Sequence, residues 1–325
     1  MFQRLILLWG ACLALVLSIS SCGGDSEDFK PVNKTGALDG GAPDVILFVL
    51  EPSEQSALES LARAETFPAP GRIVFGAAYA RTPGPVQAKS DLFWLGKTLA
   101  QEQEADNLLD SPLFTEMRKG GYSTRIVGDS QLQPYLDEES AGPRFVLVQS
   151  SAMLAWAVNM DGLAKARESS KRGILTVFTA LPVDHQAEKL AEERLRVPLV
   201  FTLPNATSAP ELRTQVVSLP DVGVTILDLC GLLLEGSATS DNEGASFARI
   251  LQKKPLAWRG FVLAKTASGD GWIRSTRWRL LHSTVNGLTL SYIEKDPLNT
   301  RDDSDLPGAQ AQLEGLGARL EAWLK

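Results

Sequence analysis

From residue 43 to about residue 257, apolar runs alternate with amphipathic runs. Apolar runs rich in β-branched residues are typical of strands that are buried on both faces of a parallel sheet. The runs between them repeat apolar positions every three or four residues, which predicts helices. The predicted strands are residues 45–50, 72–78, 124–127, 145–149, 173–180 and 197–202. The predicted helices are residues 54–65, 91–104, 112–120, 152–169 and 219–230.

The pattern changes near residue 258. Short predicted strands at 261–265, 271–275, 278–283 and 288–294 are separated by turn residues, and an amphipathic helix follows at 308–325. We therefore expect an α/β domain at 43–257, with a mainly parallel sheet sandwiched by helices, and a small C-terminal antiparallel sheet plus helix at 258–325. The tryptophans of this part of the chain are expected in the core rather than on a sugar-binding platform: Trp258, Trp272, Trp278 and Trp323.

The amino terminus has the order of a secretory signal. Arg4 is followed by an apolar run at 5–17 and then by Ile19-Ser20-Ser21-Cys22, which resembles the lipobox of bacterial lipoproteins. The apolar run is shorter than the roughly 20 residues that a transmembrane helix needs, although an uncleaved anchor helix remains the alternative. We expect a signal peptide at 1–21, lipidation of Cys22 and a flexible tether at 22–42. The resemblance implies an exported protein, anchored by lipid to a bacterial membrane on its periplasmic or cell-surface side.

The net charge of the chain makes some classes of binding partner unfavourable. Removal of the signal peptide takes away Arg4 and changes the net charge from −7 to −8. An acidic protein of this kind is a poor candidate for binding nucleic acid or anionic lipid headgroups. Of the three cysteines, only Cys230 stays free after processing and lipidation, so no intrachain disulfide is expected.

Several segments of the chain resemble segments of one known protein family, and they occur in the same order. They are 76–80, 121–124 with Gly128, 195–200, 218–231, 277–281 and 290–297. Together with the first strand, they identify residues 43–325 as similar to the sulfatase family of the alkaline phosphatase superfamily. The resemblance implies an alkaline phosphatase/sulfatase-like fold. It also implies a reaction that needs oxygen ligands for a divalent cation, a Cys or Ser nucleophile in a Cys/Ser-x-Pro-x-Arg motif, basic residues for the sulfate and a general acid.

The catalytic motif itself is absent from this chain. No cysteine and no Ser-x-Pro-x-Arg occurs at 81–92, so the candidates that remain there are the hydroxyls of Thr82 and Ser90 and the cation Lys89. Glu51 matches the first metal ligand of the family, but Pro52 stands at the second.

Two further metal ligands, which the family carries later in the chain, are also replaced. Leu181-Pro182 stands where the family has two metal ligands, and Asp184-His185 follows three residues later. If a longer loop brought Asp184 and His185 back towards Glu51, the three side chains with water would suit one divalent cation such as Ca²⁺. If it did not, Asp184 and His185 would be solvated loop residues.

These losses together predict a sulfatase-like lipoprotein that is catalytically degenerate. We expect no cofactor and a binding or scaffolding role at the bacterial envelope, with a glycan or an envelope protein as ligand. The alternative is a divergent metal-dependent hydrolase of sulfuric or phosphoric esters that uses Glu51, Asp184 and His185 for the metal. A purely structural lipoprotein is the third possibility.

Overall fold

The computed structural model describes thirteen stretches of the chain. They are residues 37–38, 41–50, 71–95, 107–138, 140–150, 163, 166–167, 170–182, 195–204, 209–232, 244–266, 268–296 and 301–325. The helix predicted at 54–65 lies outside them. Of the helix predicted at 152–169, residues 163, 166 and 167 are described, and all three are helical.

A seven-stranded sheet forms the centre of the fold, in the order β3-β4-β1-β5-β6-β2-β7. Its strands are β1 (Asp44–Leu50), β2 (Arg72–Tyr79), β3 (Ser123–Gly128), β4 (Arg144–Ser150), β5 (Ile174–Ala180), β6 (Leu199–Thr202) and β7 (Glu211–Ser218). Only β6 is antiparallel to its neighbours β5 and β2, so the sheet is mainly parallel, as predicted. Six of the strands were predicted within three residues at each end. β7 was not predicted.

The helices of this part of the chain differ more from the prediction. They are α1 (Pro85–Phe93), a 3₁₀ helix (Leu108–Asp110), α2 (Pro112–Lys119), α3 (Asp129–Asp137), α4 (Leu219–Leu229) and α5 (Ala248–Leu251). The prediction of a helix at 91–104 was wrong at its start, because α1 begins at Pro85, where proline suits the first turn. α3 was not predicted. The side chain of Gln131 accepts a hydrogen bond from the Gly128 N–H and so caps its start.

Side chains of β1 alternate between the two faces of the sheet. Val45, Leu47 and Val49 belong to a core that α1, α2, α4 and α5 cover. Ile46, Phe48 and Leu50 belong to a second core, with α3. Because both faces of this central strand are covered, every position in it is apolar after Asp44, which explains the uninterrupted run in the sequence.

Four short strands form a separate antiparallel sheet, in the order β11-β10-β9-β8. They are β8 (Phe261–Lys265), β9 (Gly271–Ser275), β10 (Trp278–Ser283) and β11 (Gly287–Tyr292), and α6 (Ala309–Leu324) packs on one face. On the other face Trp272 and Val262 pack against Tyr79 and Val216 of the main sheet. The α/β architecture with a small C-terminal antiparallel sheet plus helix is thus confirmed.

Among the described residues, no helix combines the length and apolar character that a membrane crossing requires.

Candidate functional site at the carboxyl edge of the sheet

The parallel strands of the main sheet end at one edge, which is where α/β proteins place their ligands. β1 ends there at Leu50 and β5 at Ala180. The candidate metal ligands Glu51, Asp184 and His185 lie outside the described residues, as does Pro52.

The two residues that follow β5 are described. The N–H of Leu181 donates to the carbonyl oxygen of Leu50 at 3.2 Å, which continues the pairing of β5 with β1. Leu181 is 1% exposed and belongs to the core, and Pro182 is also buried. The positions where the family resemblance places two metal ligands therefore carry buried apolar side chains.

Within the described stretches, no three residues among His, Cys, Asp and Glu gather closely enough to hold a metal ion. A metal site of three such side chains at this edge would therefore include at least one residue outside them.

The segment between β2 and α1 carries the remaining candidates. Thr82 lies in the loop before the helix, and its Oγ1 is buried and forms no hydrogen bond among the described residues. Lys89 and Ser90 lie one turn inside α1, and both are partly buried. Among the described residues, no hydrogen bond or ion pair joins Thr82, Lys89 and Ser90 to one another.

Asp91 is the residue at this edge that sequence reasoning missed. Its carboxylate accepts the backbone N–H of Arg81, and its Oδ2 is buried with no hydrogen-bond partner in the described part of the chain. Burial raises the pKa of Asp91 to about 6, although the positive charge of Arg81 opposes the shift. A buried carboxyl group that titrates near neutrality beside a cation is the kind of group that can act as an acid or a base.

The helix that carries Asp91 packs closely against α4. At Gly223 of α4, an added Cβ would lie 2.6 Å from the carbonyl oxygen of Leu92, so the two helices touch at backbone distance. Asp91 precedes Leu92 directly in the chain. An isolated acid at the start of an apolar run was the only sign of this residue in the sequence.

A second buried carboxylate, Asp221, is fully engaged at the start of α4. Its Oδ2 accepts the N–H of Ser218 at 2.7 Å and the Ser218 hydroxyl at 2.8 Å. Its Oδ1 accepts the N–H of Ala245 at 2.8 Å, and Arg259 forms an ion pair with it at 2.6 Å. Because these contacts occupy both oxygens of a residue that is 0% exposed, Asp221 has a structural role at the end of β7.

Known structures share this architecture at low sequence identity. A 2-O GAG sulfatase is similar with a TM-score of 0.67 and 13% identity, over 87% of this chain and 92% of that one. The phosphonate monoester hydrolase of Agrobacterium radiobacter gives 0.62 and 13%, over 87% and 96%. An alkaline phosphatase superfamily protein from Vibrio parahaemolyticus gives 0.61 and 12%, over 92% and 94%.

The chain has the sulfatase/alkaline phosphatase fold. No protein-family model matches the sequence, and no curated protein matches it either. Identities of 12–13% establish the fold alone and leave the chemistry to be argued from the residues of this chain.

Replacement of Asp91 by asparagine should stabilise the protein at neutral pH. The pKa of about 6 in the folded state lies above the ordinary value of 3.8, so the folded state holds the proton more tightly. Stability is therefore lost as the pH rises from about 4 to about 6, by roughly 1–3 kcal/mol in total. We expect Asp91→Asn to remove this pH dependence and to unfold at higher urea concentration than the wild type at pH 7.5, but not at pH 4.

A matched control is Asp305→Asn, which changes an exposed carboxylate and should leave both urea midpoints unchanged. If Asp91→Asn were instead less stable than the wild type at pH 7.5, attraction to Arg81 would outweigh burial and the raised pKa would be wrong.

Proposed function

We propose that this chain is an exported, lipid-anchored protein of the bacterial envelope that uses a sulfatase-like fold to bind a ligand rather than to hydrolyse an ester. The observation that carries the proposal is the buried Leu181-Pro182 pair at the end of β5, next to the end of β1. A cation such as Ca²⁺ needs six to eight oxygen ligands, and these two side chains offer none. The missing nucleophile motif at 81–92 supports the same conclusion.

The ligand is proposed to be a glycan or an envelope protein that binds at the carboxyl edge of the sheet. Open α/β sheets bind ligands at this edge irrespective of the reaction that follows. Among the structural neighbours, one is a 2-O GAG sulfatase and another is in complex with a neocarrahexaose, so related folds bind sugars. Nucleic acid is not proposed, because the chain is acidic.

Lipid attachment at Cys22 is part of the proposal and is based on the sequence alone. The charge, the apolar run and the small residues before Cys22 support cleavage and acylation there. Several acyl chains at about 0.8 kcal/mol per buried CH₂ would hold the protein on its membrane.

The alternative is a divergent ester hydrolase, and one feature of the structure favours it. Asp91 combines a raised pKa with a buried oxygen that has no hydrogen-bond partner among the described residues. The hydroxyl of Thr82, which likewise has no partner among them, lies in the same segment. A carboxylate that accepts a proton and a hydroxyl that attacks are two parts of covalent catalysis. The metal would then be held by Glu51, Asp184 and His185.

Elemental analysis and turnover assays separate the two functions. We expect the purified mature protein to bind no stoichiometric Ca²⁺, Mg²⁺ or Zn²⁺ and to hydrolyse aryl sulfates and aryl phosphates no faster than its Glu51→Ala and Thr82→Ala variants do. One metal ion per chain that is lost in Glu51→Ala, or turnover that is lost in Thr82→Ala, would establish the hydrolase instead.

A further inference from the structure

The chain enters the folded domain at the edge of the sheet opposite the candidate site. The N–H of Leu38 donates to the carbonyl oxygen of Leu229 at 3.0 Å, at the end of α4. The side chain of Gln252, which follows α5, donates to the carbonyl oxygen of Ala37 at 3.5 Å. Since α4 starts where β7 ends, its own end lies at the edge where the parallel strands begin. This amino edge is therefore where the segment that leads back to Cys22 joins the domain.

Exposed cations flank this junction on both sides. Arg118 and Lys119 end α2, and the next residue, Gly120, packs against the side chain of Leu232 just after α4. Lys253 and Lys254 follow Gln252 directly, and both are exposed. We call Arg118, Lys119, Lys253 and Lys254 the basic collar.

Neighbouring carboxylates only partly neutralise the basic collar. Lys119 pairs with Glu116 at 2.7 Å, and Lys253 pairs with Glu211, which also pairs with Arg213 at 2.8 Å. The two lysine side chains are still 65% and 60% exposed, and ion pairs at such exposure contribute little, so both ammonium groups can turn to another anion. Among the described residues, cations thus outnumber carboxylates at the junction, although the whole chain carries a net charge of −7.

We propose that the basic collar faces the membrane and binds the anionic phospholipid headgroups of the bilayer that holds the lipid on Cys22. The inference rests on the proposed lipid anchor. If the segment from Cys22 to Ala37 behaves as the flexible chain that its sequence predicts, its root-mean-square length is about 20 Å, and the amino edge can then reach the headgroups. A chain of that length also permits closer approach, and within a Debye length of the surface, about 8 Å at physiological salt, an anionic bilayer attracts the cations of the basic collar.

This orientation determines the direction in which the candidate site faces. With the amino edge on the membrane, the carboxyl edge with Thr82 and Asp91 points away from it. A ligand of the proposed binding site would then bind on the side of the domain that faces away from the membrane.

Vesicle binding of the unacylated mature chain tests the proposal. The Cys22→Ser variant, made without the signal peptide, is mixed with vesicles of phosphatidylcholine alone or with phosphatidylglycerol, and the bound fraction is measured by co-sedimentation. We expect binding only to phosphatidylglycerol vesicles, with affinity that falls as salt rises. Reversal of the basic collar (Arg118→Glu, Lys119→Glu, Lys253→Glu and Lys254→Glu) should weaken that binding about tenfold or more.

The control reverses four exposed cations of the C-terminal part, namely Arg277, Lys295, Arg319 and Lys325. It changes the net charge equally and should bind phosphatidylglycerol vesicles as the parent chain does, provided that circular dichroism shows both variants to be folded. Equal weakening in the two variants, or no binding of the parent chain, would overturn the proposal. Capture by soluble heparin without binding to vesicles would also overturn it.

Mass spectrometry of Cys22 in the exported protein tests the anchor separately. An unmodified Cys22 together with collar-dependent vesicle binding would remove the anchor and leave the lipid-binding surface established. An acylated Cys22 without any vesicle binding would establish the anchor and overturn the role of the basic collar.

Discussion

Asp221→Ala is expected to lower the free energy of unfolding by about 3–5 kcal/mol, since it breaks a buried ion pair by removing one partner. Asp221 is 0% exposed, and its carboxylate holds Ser218, Ala245 and Arg259 together. Without it, the side chain of Arg259, which is only 16% exposed, loses its anion, and two backbone N–H groups lose their acceptors. The change would loosen the start of α4 and the end of β7 at the same time.

Urea unfolding followed by circular dichroism measures this loss as a fall in midpoint at unchanged slope. The matched control is Asp270→Ala, because Asp270 also accepts hydrogen bonds from a backbone N–H and a hydroxyl, both of Thr284, but this contact joins two hairpin turns at the surface. We expect it to cost about 1 kcal/mol or less. A cost for Asp221→Ala no larger than for Asp270→Ala would contradict the structural role assigned to Asp221.

Trp272→Ala is expected to have the second large effect on stability, because Trp272 packs the antiparallel sheet against the main sheet. Its side chain is 1% exposed, and its ring lies 5.3 Å from that of Tyr79. Truncation of a buried aromatic side chain costs about 3–5 kcal/mol through lost burial and the cavity left behind. We expect a much lower urea midpoint and, because the cluster shared by the two sheets loses its largest side chain, unfolding in two separate steps.

Trp278→Ala is the control, since Trp278 lies on the neighbouring strand but on the opposite face, where it is partly buried against Tyr292. It should lower the midpoint less and leave a single transition. If Trp272→Ala unfolded in one step with a loss no larger than that of Trp278→Ala, the packing of the two sheets would contribute little to stability.

Sequence patterns predicted every strand of the main sheet except β7. β1 follows its apolar run closely because both faces of the central strand are buried. β7 is an edge strand whose first half is polar, with Glu211, Arg213 and Gln215 at alternate positions, so its run looks like a loop. Pairing with β2 makes it a strand, and that pairing joins residues far apart in the chain.

Some features of the candidate site could likewise be predicted from the sequence, and others could not. The missing nucleophile motif and the Leu181-Pro182 pair could be read from the sequence, because each is a statement about which residue stands where. The raised pKa of Asp91 could not be predicted from the sequence, because it depends on burial of the side chain. That burial arises only when the chain folds and α1 packs against α4 at Gly223. The position of α1 was misjudged for a related reason: its apolar periodicity becomes clear only near its end, although Pro85 marked its start.

The sequence by itself determined the α/β architecture, the small C-terminal sheet and the absence of a Cys/Ser-x-Pro-x-Arg sequence at 81–92, because local apolar periodicity and residue identity are enough for these features. Only the tertiary structure decided which charges are buried and which lie near Leu38, where the described chain enters the domain. Arg118 and Lys254 are brought to the same edge by helices that pack on one face of the sheet, and the proximity of such distant residues is created by folding and has no local pattern.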